Sequence, residues 1–161
     1  MYGLQAEAHF DGAHFLTNYY GKCENLHGHR WRVVATIEVE QLQDGTGAGG
    51  SLREDGTQTG DGTMRDMVVD FGVFKRVVAE VAGELDHTFL VEEGSLAPAT
   101  IAALESEGFT LTILPFRTTA ENLARWFYER LEQRGLPVSQ VEVDETPNNR
   151  AFYAANGHVG R

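Results

Sequence analysis

The feature that most constrains the fold is a strict alternation of apolar and polar residues in two stretches, residues 2–10 and 29–39. Successive side chains of a β-strand point to opposite faces of a sheet, so each stretch predicts a strand with one buried face. His9 falls on the polar face of the first strand, whereas His29 shares the apolar face of the second. The apolar positions are Tyr2, Leu4, Ala6, Ala8 and Phe10 in the first stretch, and Trp31, Val33, Ala35, Ile37 and Val39 in the second.

Two later segments repeat apolar residues at three- and four-residue spacing, which is typical of helices with one buried face. The first helix is expected to begin near Phe71 with Asp70 as its N-cap. The second follows Thr118, where Thr118 and Glu121 have capping-box spacing, and ends at Gly135. The apolar stripes are Phe74, Val77, Val78, Val81 and Leu85 in the first helix, and Leu123, Trp126, Phe127 and Leu131 in the second.

Further strands are predicted at residues 109–114, 138–143 and 150–154. Strands that do not alternate regularly with helices indicate an α+β domain, with an antiparallel sheet and helices on one face. The length of 161 residues fits one domain over residues 1–161. Residues 42–65 are rich in Gly, Thr, Asp and Ser, and predict a flexible insertion; a tolerated surface loop is favoured over an active-site lid.

Composition excludes several classes of function. The net charge of -11 argues against nucleic acid or an anionic membrane surface as a partner, because no basic stripe is present to contact phosphates. The single cysteine cannot form an internal disulfide. The first residues resemble no export signal and no apolar run has the length of a membrane span, so a cytoplasmic location is expected.

Three histidines and the only cysteine of the chain lie close together in the sequence, as His14, Cys23, His27 and His29. His27 and His29 are two residues apart, so on a strand both rings point the same way. With His14 as a third ligand, they would form a catalytic zinc site that leaves one coordination position open. Alternatively, Cys23 would be a fourth ligand and close the site, which would make it structural.

Two further groups carry candidate chemistry. Asp86 and His87 follow the first helix, and are either a solvated helix end or a carboxylate that orients a proton-transferring imidazole. Glu145 ends a predicted strand, where a carboxylate is usually solvated. It could also accept two hydrogen bonds from a ligand that presents two N–H donors side by side.

These residues occur in motifs that resemble the 6-pyruvoyl-tetrahydropterin synthase and 6-carboxy-tetrahydropterin synthase family. The matches follow the family order and cover nearly the whole chain apart from residues 42–65. The matching strings are Phe10-Asp-Gly-Ala-His14, Cys23-x-x-x-His27-Gly-His29, Met67-Val-Val-Asp-Phe-Gly72, Leu85-Asp-His87, Thr118-Thr-Ala-Glu-Asn122 and Glu145-Thr-Pro147.

The resemblance implies a fold and an assembly. The fold is the tunnelling fold, with a four-stranded antiparallel sheet and two helices on one face. Subunits of this fold close their sheets into a barrel, so a homo-oligomer, specifically a hexamer, with active sites between subunits is expected.

The resemblance also implies the chemistry. Zn²⁺ would be the cofactor and 7,8-dihydroneopterin triphosphate the substrate of a lyase. The implied roles are zinc binding by His14, His27 and His29, catalysis by Cys23, Asp86 and His87, pterin anchoring by Glu145, and pocket lining by Thr118 and Thr119.

The product is indicated by spacing within the family. Three residues separate Cys23 from His27, as in the bacterial carboxy type, so we expect a 6-carboxy-tetrahydropterin synthase of queuosine synthesis. The alternatives are the pyruvoyl enzyme, a structural zinc protein and cyclohydrolase chemistry on GTP. Val91 and the length of the insertion depart from the family pattern and leave substrate preference open.

Overall fold

The computed structural model describes residues 1–44, 51–52, 58–59 and 64–155. Within these residues, six strands form the main sheet, and three α-helices and a short 3-10 helix at Lys22–Glu24 lie between them in the sequence. The main-sheet strands are β1 (Tyr2–His14), β2 (His27–Val39), β5 (Thr88–Glu92), β6 (Leu111–Leu114), β7 (Gln140–Thr146) and β8 (Asn149–Tyr153). The helices are α1 (Phe71–Gly83), α2 (Pro98–Ser106) and α3 (Ala120–Gln133).

The sheet has the strand order β6-β5-β1-β2-β7-β8, and strand pairing changes from parallel to antiparallel at β1. On one side, β1, β2, β7 and β8 pair antiparallel; on the other, β1, β5 and β6 pair parallel. The carboxyl ends of the parallel strands therefore lie at one edge, where β1 ends in His14 and β2 begins with His27.

The core lies between one face of this sheet and two helices. Helix α1 packs on β1, α3 packs on β7 and β8, and the two helices contact each other. Asp70 caps α1, since its Oδ1 accepts a hydrogen bond from the amide of Val73 at 3.0 Å. The alternation of β1 and β2 places Phe10 beside Trp31 on the buried face, where their rings stack.

The predicted α+β class, with helices α1 and α3 over the sheet, is confirmed. The expected strand count and pairing need correction, because the main sheet has six strands rather than four and includes parallel pairs. β5 pairs with β1 only at its first residues, and α2, which joins the parallel strands β5 and β6, buries no side chain. Neither element has the amphipathic pattern that would reveal it.

The start of α3 also differs from the expected one. Thr119, not Thr118, is the N-cap, and its hydroxyl accepts from the amide of Asn122 at 3.4 Å. Thr118 is fully buried and contacts His14 instead, so the expected capping box with Glu121 does not form.

Within the expected insertion, the structure describes two short antiparallel strands, β3 (Ser51–Leu52) and β4 (Gln58–Thr59). Most of residues 42–65 lie outside the described residues, as does the prediction that this segment is a flexible loop. Among the helices in the described part of the chain, none has the length and apolar character needed to cross a membrane.

Candidate metal centre and neighbouring cavity

The end of the β1–β2 hairpin brings three histidines together. His14 pairs directly with His27, and Gly12 pairs with His29, so the three imidazoles project from the same face of the sheet. Their ring centroids are 4.6 Å apart for His14 and His27, 4.8 Å for His27 and His29, and 5.3 Å for His14 and His29. The sequence-predicted triad is therefore brought together.

Backbone carbonyl groups orient two of these rings. Nδ1 of His14 lies 2.9 Å from the carbonyl oxygen of Thr118, and Nδ1 of His27 lies 2.7 Å from that of Asn25. A carbonyl oxygen only accepts, so both Nδ1 atoms carry the hydrogen and both Nε2 atoms present a lone pair. The Nε2 atoms of all three histidines are buried and have no hydrogen-bond partner.

Burial favours the neutral form of two of the three imidazoles, those of His14 and His29. Desolvation of the fully buried His14 ring lowers its pKa to about 4, although the hydrogen bond to Thr118 acts in the opposite direction. Burial also lowers the pKa of His29, against the attraction of the Glu145 carboxylate. Metal ligation requires neutral imidazole, so the lowered pKa values of His14 and His29 favour the form that binds a cation.

Glu145 joins the histidines from β7. It continues the alternation of Val141 and Val143, whose side chains are buried on the core face of the sheet. Its Oε1 lies 3.5 Å from Nε2 of His14 and 3.6 Å from Nε2 of His29. The ligand atoms of His14, His27, His29 and Glu145 all lie within 4.8 Å of one another, and this donor group can hold a metal ion.

The proximity of Glu145 to the histidines was not foreseen from the sequence, where the residue was interpreted as a strand end or a pterin anchor. The signal was nevertheless present, because residues 141, 143 and 145 share one face of a strand. Imidazole nitrogen and carboxylate oxygen are both ordinary zinc ligands, so the donor set fits zinc.

Cys23 lies outside this donor group. It belongs to the 3-10 helix at Lys22–Glu24 and is half-buried. Its carbonyl oxygen accepts a hydrogen bond from the amide of Leu16 at 2.9 Å, which ties the connection between β1 and β2 together. The fourth place beside the histidines is occupied by Glu145.

Asp86 and His87 are fixed to β1 just before β5 begins. Oδ1 of Asp86 accepts from the amide of Asp11 at 2.8 Å, and the amide of His87 donates to the carbonyl of Asp11 at 2.7 Å. These bonds hold His87 at φ +55°, in the left-handed region that few residues other than glycine adopt. The His87 side chain remains 79% exposed.

The two side chains form a charge-assisted pair. Nδ1 of His87 lies 2.9 Å from Oδ2 of Asp86. This hydrogen bond raises the pKa of His87, while the backbone amide of Asp11, followed by His87, lowers the pKa of Asp86. The arrangement can hold a proton on an exposed imidazole whose orientation is fixed.

A cavity of about 1010 Å³ lies beside this pair and is lined by His87 and by His29, whereas His14, His27 and Glu145 are absent from its lining. Its other walls come from the ends of β1 and β2, from the start of β5 and from α2. They include the apolar residues Phe15, Leu26, Phe89, Leu96, Leu104 and Phe109. Thr118, Thr119 and Cys23 are not among the residues that line this cavity. Thr118 contacts His14, and Thr119 caps α3.

Comparison with known proteins identifies the family. Residues 3–156 match the family model described as 6-pyruvoyl tetrahydropterin synthase. The 6-carboxy-5,6,7,8-tetrahydropterin synthase of Haemophilus influenzae is 32% identical over 156 residues, covering 95% of this chain and 99% of that protein. The enzyme of the same name from Synechocystis is 31% identical over 155 residues, covering 95% and 93%.

A solved structure shows the same fold. The 6-pyruvoyl tetrahydropterin synthase of Caenorhabditis elegans superposes with a TM-score of 0.58 at 21% identity, covering 95% of this chain and 94% of that one. The tunnelling fold implied by the sequence motifs is thus confirmed. The motifs, the family model and the full-length relatives agree, and this chain belongs to the 6-pyruvoyl tetrahydropterin synthase family.

Proposed function

We propose that this protein is a zinc-dependent 6-carboxy-5,6,7,8-tetrahydropterin synthase. It converts 7,8-dihydroneopterin triphosphate to 6-carboxytetrahydropterin and releases acetaldehyde and triphosphate, a lyase reaction of queuosine synthesis. The observation that carries the proposal is that the unpartnered Nε2 atoms of His14, His27 and His29 converge on one point. The full-length relatives named as this enzyme support the choice of reaction.

The metal centre is assigned to His14, His27 and His29. The carbonyl groups of Thr118 and Asn25 fix the hydrogen on Nδ1 of two of these rings and leave Nε2 free to bind. Bound zinc supplies Lewis-acid chemistry, which lowers the pKa of hydroxyl groups that reach its open position.

Proton transfer is assigned to Cys23, Asp86 and His87. Cys23 acts as the base, since its thiol lies outside the donor group and is available for chemistry. His87 carries protons on an exposed ring, and Asp86 keeps that ring oriented and favours its charged form. The active sites lie between subunits of a homo-oligomer, a hexamer, and the enzyme works in the cytoplasm.

Binding of the pterin ring is assigned to Glu145, and Thr118 and Thr119 are assigned to the lining of the same pocket. The amino group and ring N–H of a pterin form a donor pair that one carboxylate accepts with both oxygens. Glu145 is half-buried, with 22% of its side chain exposed, and can therefore receive an external ligand. We further propose that residues 1–161 form one domain with a flexible insertion at about residues 42–65.

The pyruvoyl reaction is the second candidate, favoured by the description of the matching family model. It ends after internal redox and triphosphate elimination, with no carbon–carbon cleavage. The zinc-loaded protein should be incubated with 7,8-dihydroneopterin triphosphate, and the products analysed for acetaldehyde and for the pterin formed. Stoichiometric acetaldehyde and 6-carboxytetrahydropterin are expected. Triphosphate release without acetaldehyde would favour the pyruvoyl enzyme, and no turnover would favour a structural metal site.

A further inference from the structure

Among the arginines in the described part of the chain, Arg117 alone has no carboxylate partner. Each of the other eight has an Asp or Glu oxygen within 4.0 Å of a guanidinium nitrogen. The chain has 24 acidic residues against 13 lysines and arginines, so a shortage of carboxylates does not explain the exception. The position of Arg117 therefore calls for an anion from outside the chain.

The unpaired part of Arg117 is one edge of its guanidinium group. Its Nε and Nη2 atoms are buried and have no hydrogen-bond partner among the described residues. Arg130 uses the same edge to bind Glu84, since its Nε and Nη2 donate to Oε2 at 3.1 and 2.6 Å, and Arg32 binds Glu7 in the same way. These two donors match the oxygens of a carboxylate or a phosphate, and burying them unpaired costs free energy that an oxyanion would offset.

The backbone and the side chain of Arg117 are both held in place. Its carbonyl oxygen accepts from the amide of Thr119 at 2.8 Å and from the side-chain amide of Asn122 at 3.0 Å, which fixes it just before α3. Its Cζ atom lies 5.8 Å from the centroid of the Tyr19 ring, a cation–π contact. The residue as a whole is half-buried, so an oriented guanidinium group borders the surface.

The next residue along the chain places Arg117 beside the metal centre. The carbonyl oxygen of Thr118 lies 2.9 Å from Nδ1 of His14. Consecutive Cα atoms are about 3.8 Å apart, so Arg117 begins close to this contact. In the proposed substrate the triphosphate is joined to the carbon next to the side-chain hydroxyls. Hydroxyls that reach the metal therefore bring the triphosphate close to it, where a cation is needed.

We propose that Arg117 binds the triphosphate group of the substrate through Nε and Nη2. The inference rests on the proposed function, because it takes the ligand to be a pterin triphosphate. The contact gives a strongly acidic protein a local preference for phosphorylated over unphosphorylated pterins. Lysine at this position would keep the charge but would lose the paired donors.

The test compares two fully oxidised, non-reactive ligands, neopterin and neopterin triphosphate, by calorimetric titration of the zinc-loaded protein. Wild type should bind the triphosphate form more tightly. Arg117→Gln should weaken binding of that form by about tenfold to a hundredfold, as expected for the loss of hydrogen bonds to a charged group. Its affinity for neopterin should not change, which also shows that the pterin pocket is intact. Arg117→Lys should recover only part of the loss.

Arg125→Gln is the matched control for net charge. Arg125 lies on α3, its side chain is 61% exposed, and it pairs with Glu129 four residues later. This variant loses the same charge as Arg117→Gln and should bind both ligands as the wild type does. A selective effect of Arg117→Gln would then come from the contact and not from the charge of the whole protein.

Three results with Arg117→Gln would overturn the inference. Equal loss of affinity for both ligands would show a structural role, and no loss for either would show that the triphosphate is bound elsewhere. A lower mass by light scattering would assign this edge to a carboxylate of a second copy. In each case a wild type that binds neopterin leaves the proposed function standing. A wild type that binds neither ligand would overturn the proposed function together with this inference.

Discussion

Oδ2 of Asp86 accepts a hydrogen bond from Nδ1 of His87 at 2.9 Å, and the backbone of His87 is in the left-handed region. The second carboxylate oxygen of Asp86 is held by the amide of Asp11 at 2.8 Å. The pair is therefore oriented by β1, the strand that also ends in the metal centre at His14.

Asp86→Asn should lower the pKa of His87 toward the ordinary histidine value, because the hydrogen bond to the carboxylate is the main cause of the raised pKa. NMR titration of the His87 ring measures this change. Glu93→Gln removes a different exposed carboxylate and should leave the titration unchanged. An unaltered pKa in Asp86→Asn would show that the exposed pair is fully screened by solvent.

The same pair predicts the direction of a pH effect on stability. The raised pKa of His87 gives a stabilising contribution that is complete below the unfolded histidine pKa and is lost as pH rises through the folded pKa. The lowered pKa of Asp86 gives a contribution that is present above the unfolded carboxyl pKa and is lost as pH falls through the folded one. Urea unfolding across pH should show a smaller change above pH 6 for Asp86→Asn than for wild type.

His27→Ala and His29→Ala should each lose Zn²⁺ affinity by about tenfold or more, since both remove a ligand from the donor group. Metal content after dialysis against a weak chelator measures the loss. His9→Ala is the control, because His9 is exposed on the other face of β1. Full retention of zinc by both ligand variants would contradict the assignment of the site.

Cys23→Ala should retain zinc but lose turnover by roughly 10²–10⁴-fold, the usual contribution of a catalytic base. The thiol lies outside the group of four donor atoms, so the metal should not depend on it. Zinc analysis and kcat are measured on the same preparation. Loss of zinc together with activity would make Cys23 a ligand and favour a structural site.

The protein should assemble into a closed homo-oligomer of six chains. The main sheet ends in two edge strands, β6 and β8, and these expose Ile113 and Phe152. Light scattering after gel filtration should give six times the chain mass. Phe152→Lys should lower it, whereas Gln133→Lys on the exposed side of α3 should not. A wild-type monomer at micromolar concentration would contradict both the assembly and active sites between subunits.

The strands of the antiparallel half and the two buried helices were predictable because each has a local periodic signal. Alternation marks β1 and β2, and the stripes of α1 and α3 follow helical spacing. β5 and α2 lack such a signal. The position of β5 depends on a parallel contact with β1, where Gly12 and Ala13 pair with Thr88 and Phe89, and contacts between distant segments are invisible to a short window.

The site was predictable in part for the same reason. His14, His27 and His29 come together through one hairpin, and alternation placed His29 on the sheltered face. The contact of Glu145 with His14 depends on β2 pairing with β7, and Thr118 reaches His14 only through the tertiary fold. The predicted N-cap of α3 was one residue too early. Thr118 contacts His14, and Thr119 is the N-cap instead.

The hairpin origin of the histidines has a consequence for how the chain folds. β1 and β2 are neighbours in sequence, and hairpins form in about 1–10 μs, well before distant strands must meet. A shift of register by one residue would turn His27 and His29 to the opposite face from His14. A metal ion bound by the newly formed hairpin would thus favour the native register of β1 and β2. Glu145 would reach the histidines only after β7 pairs with β2.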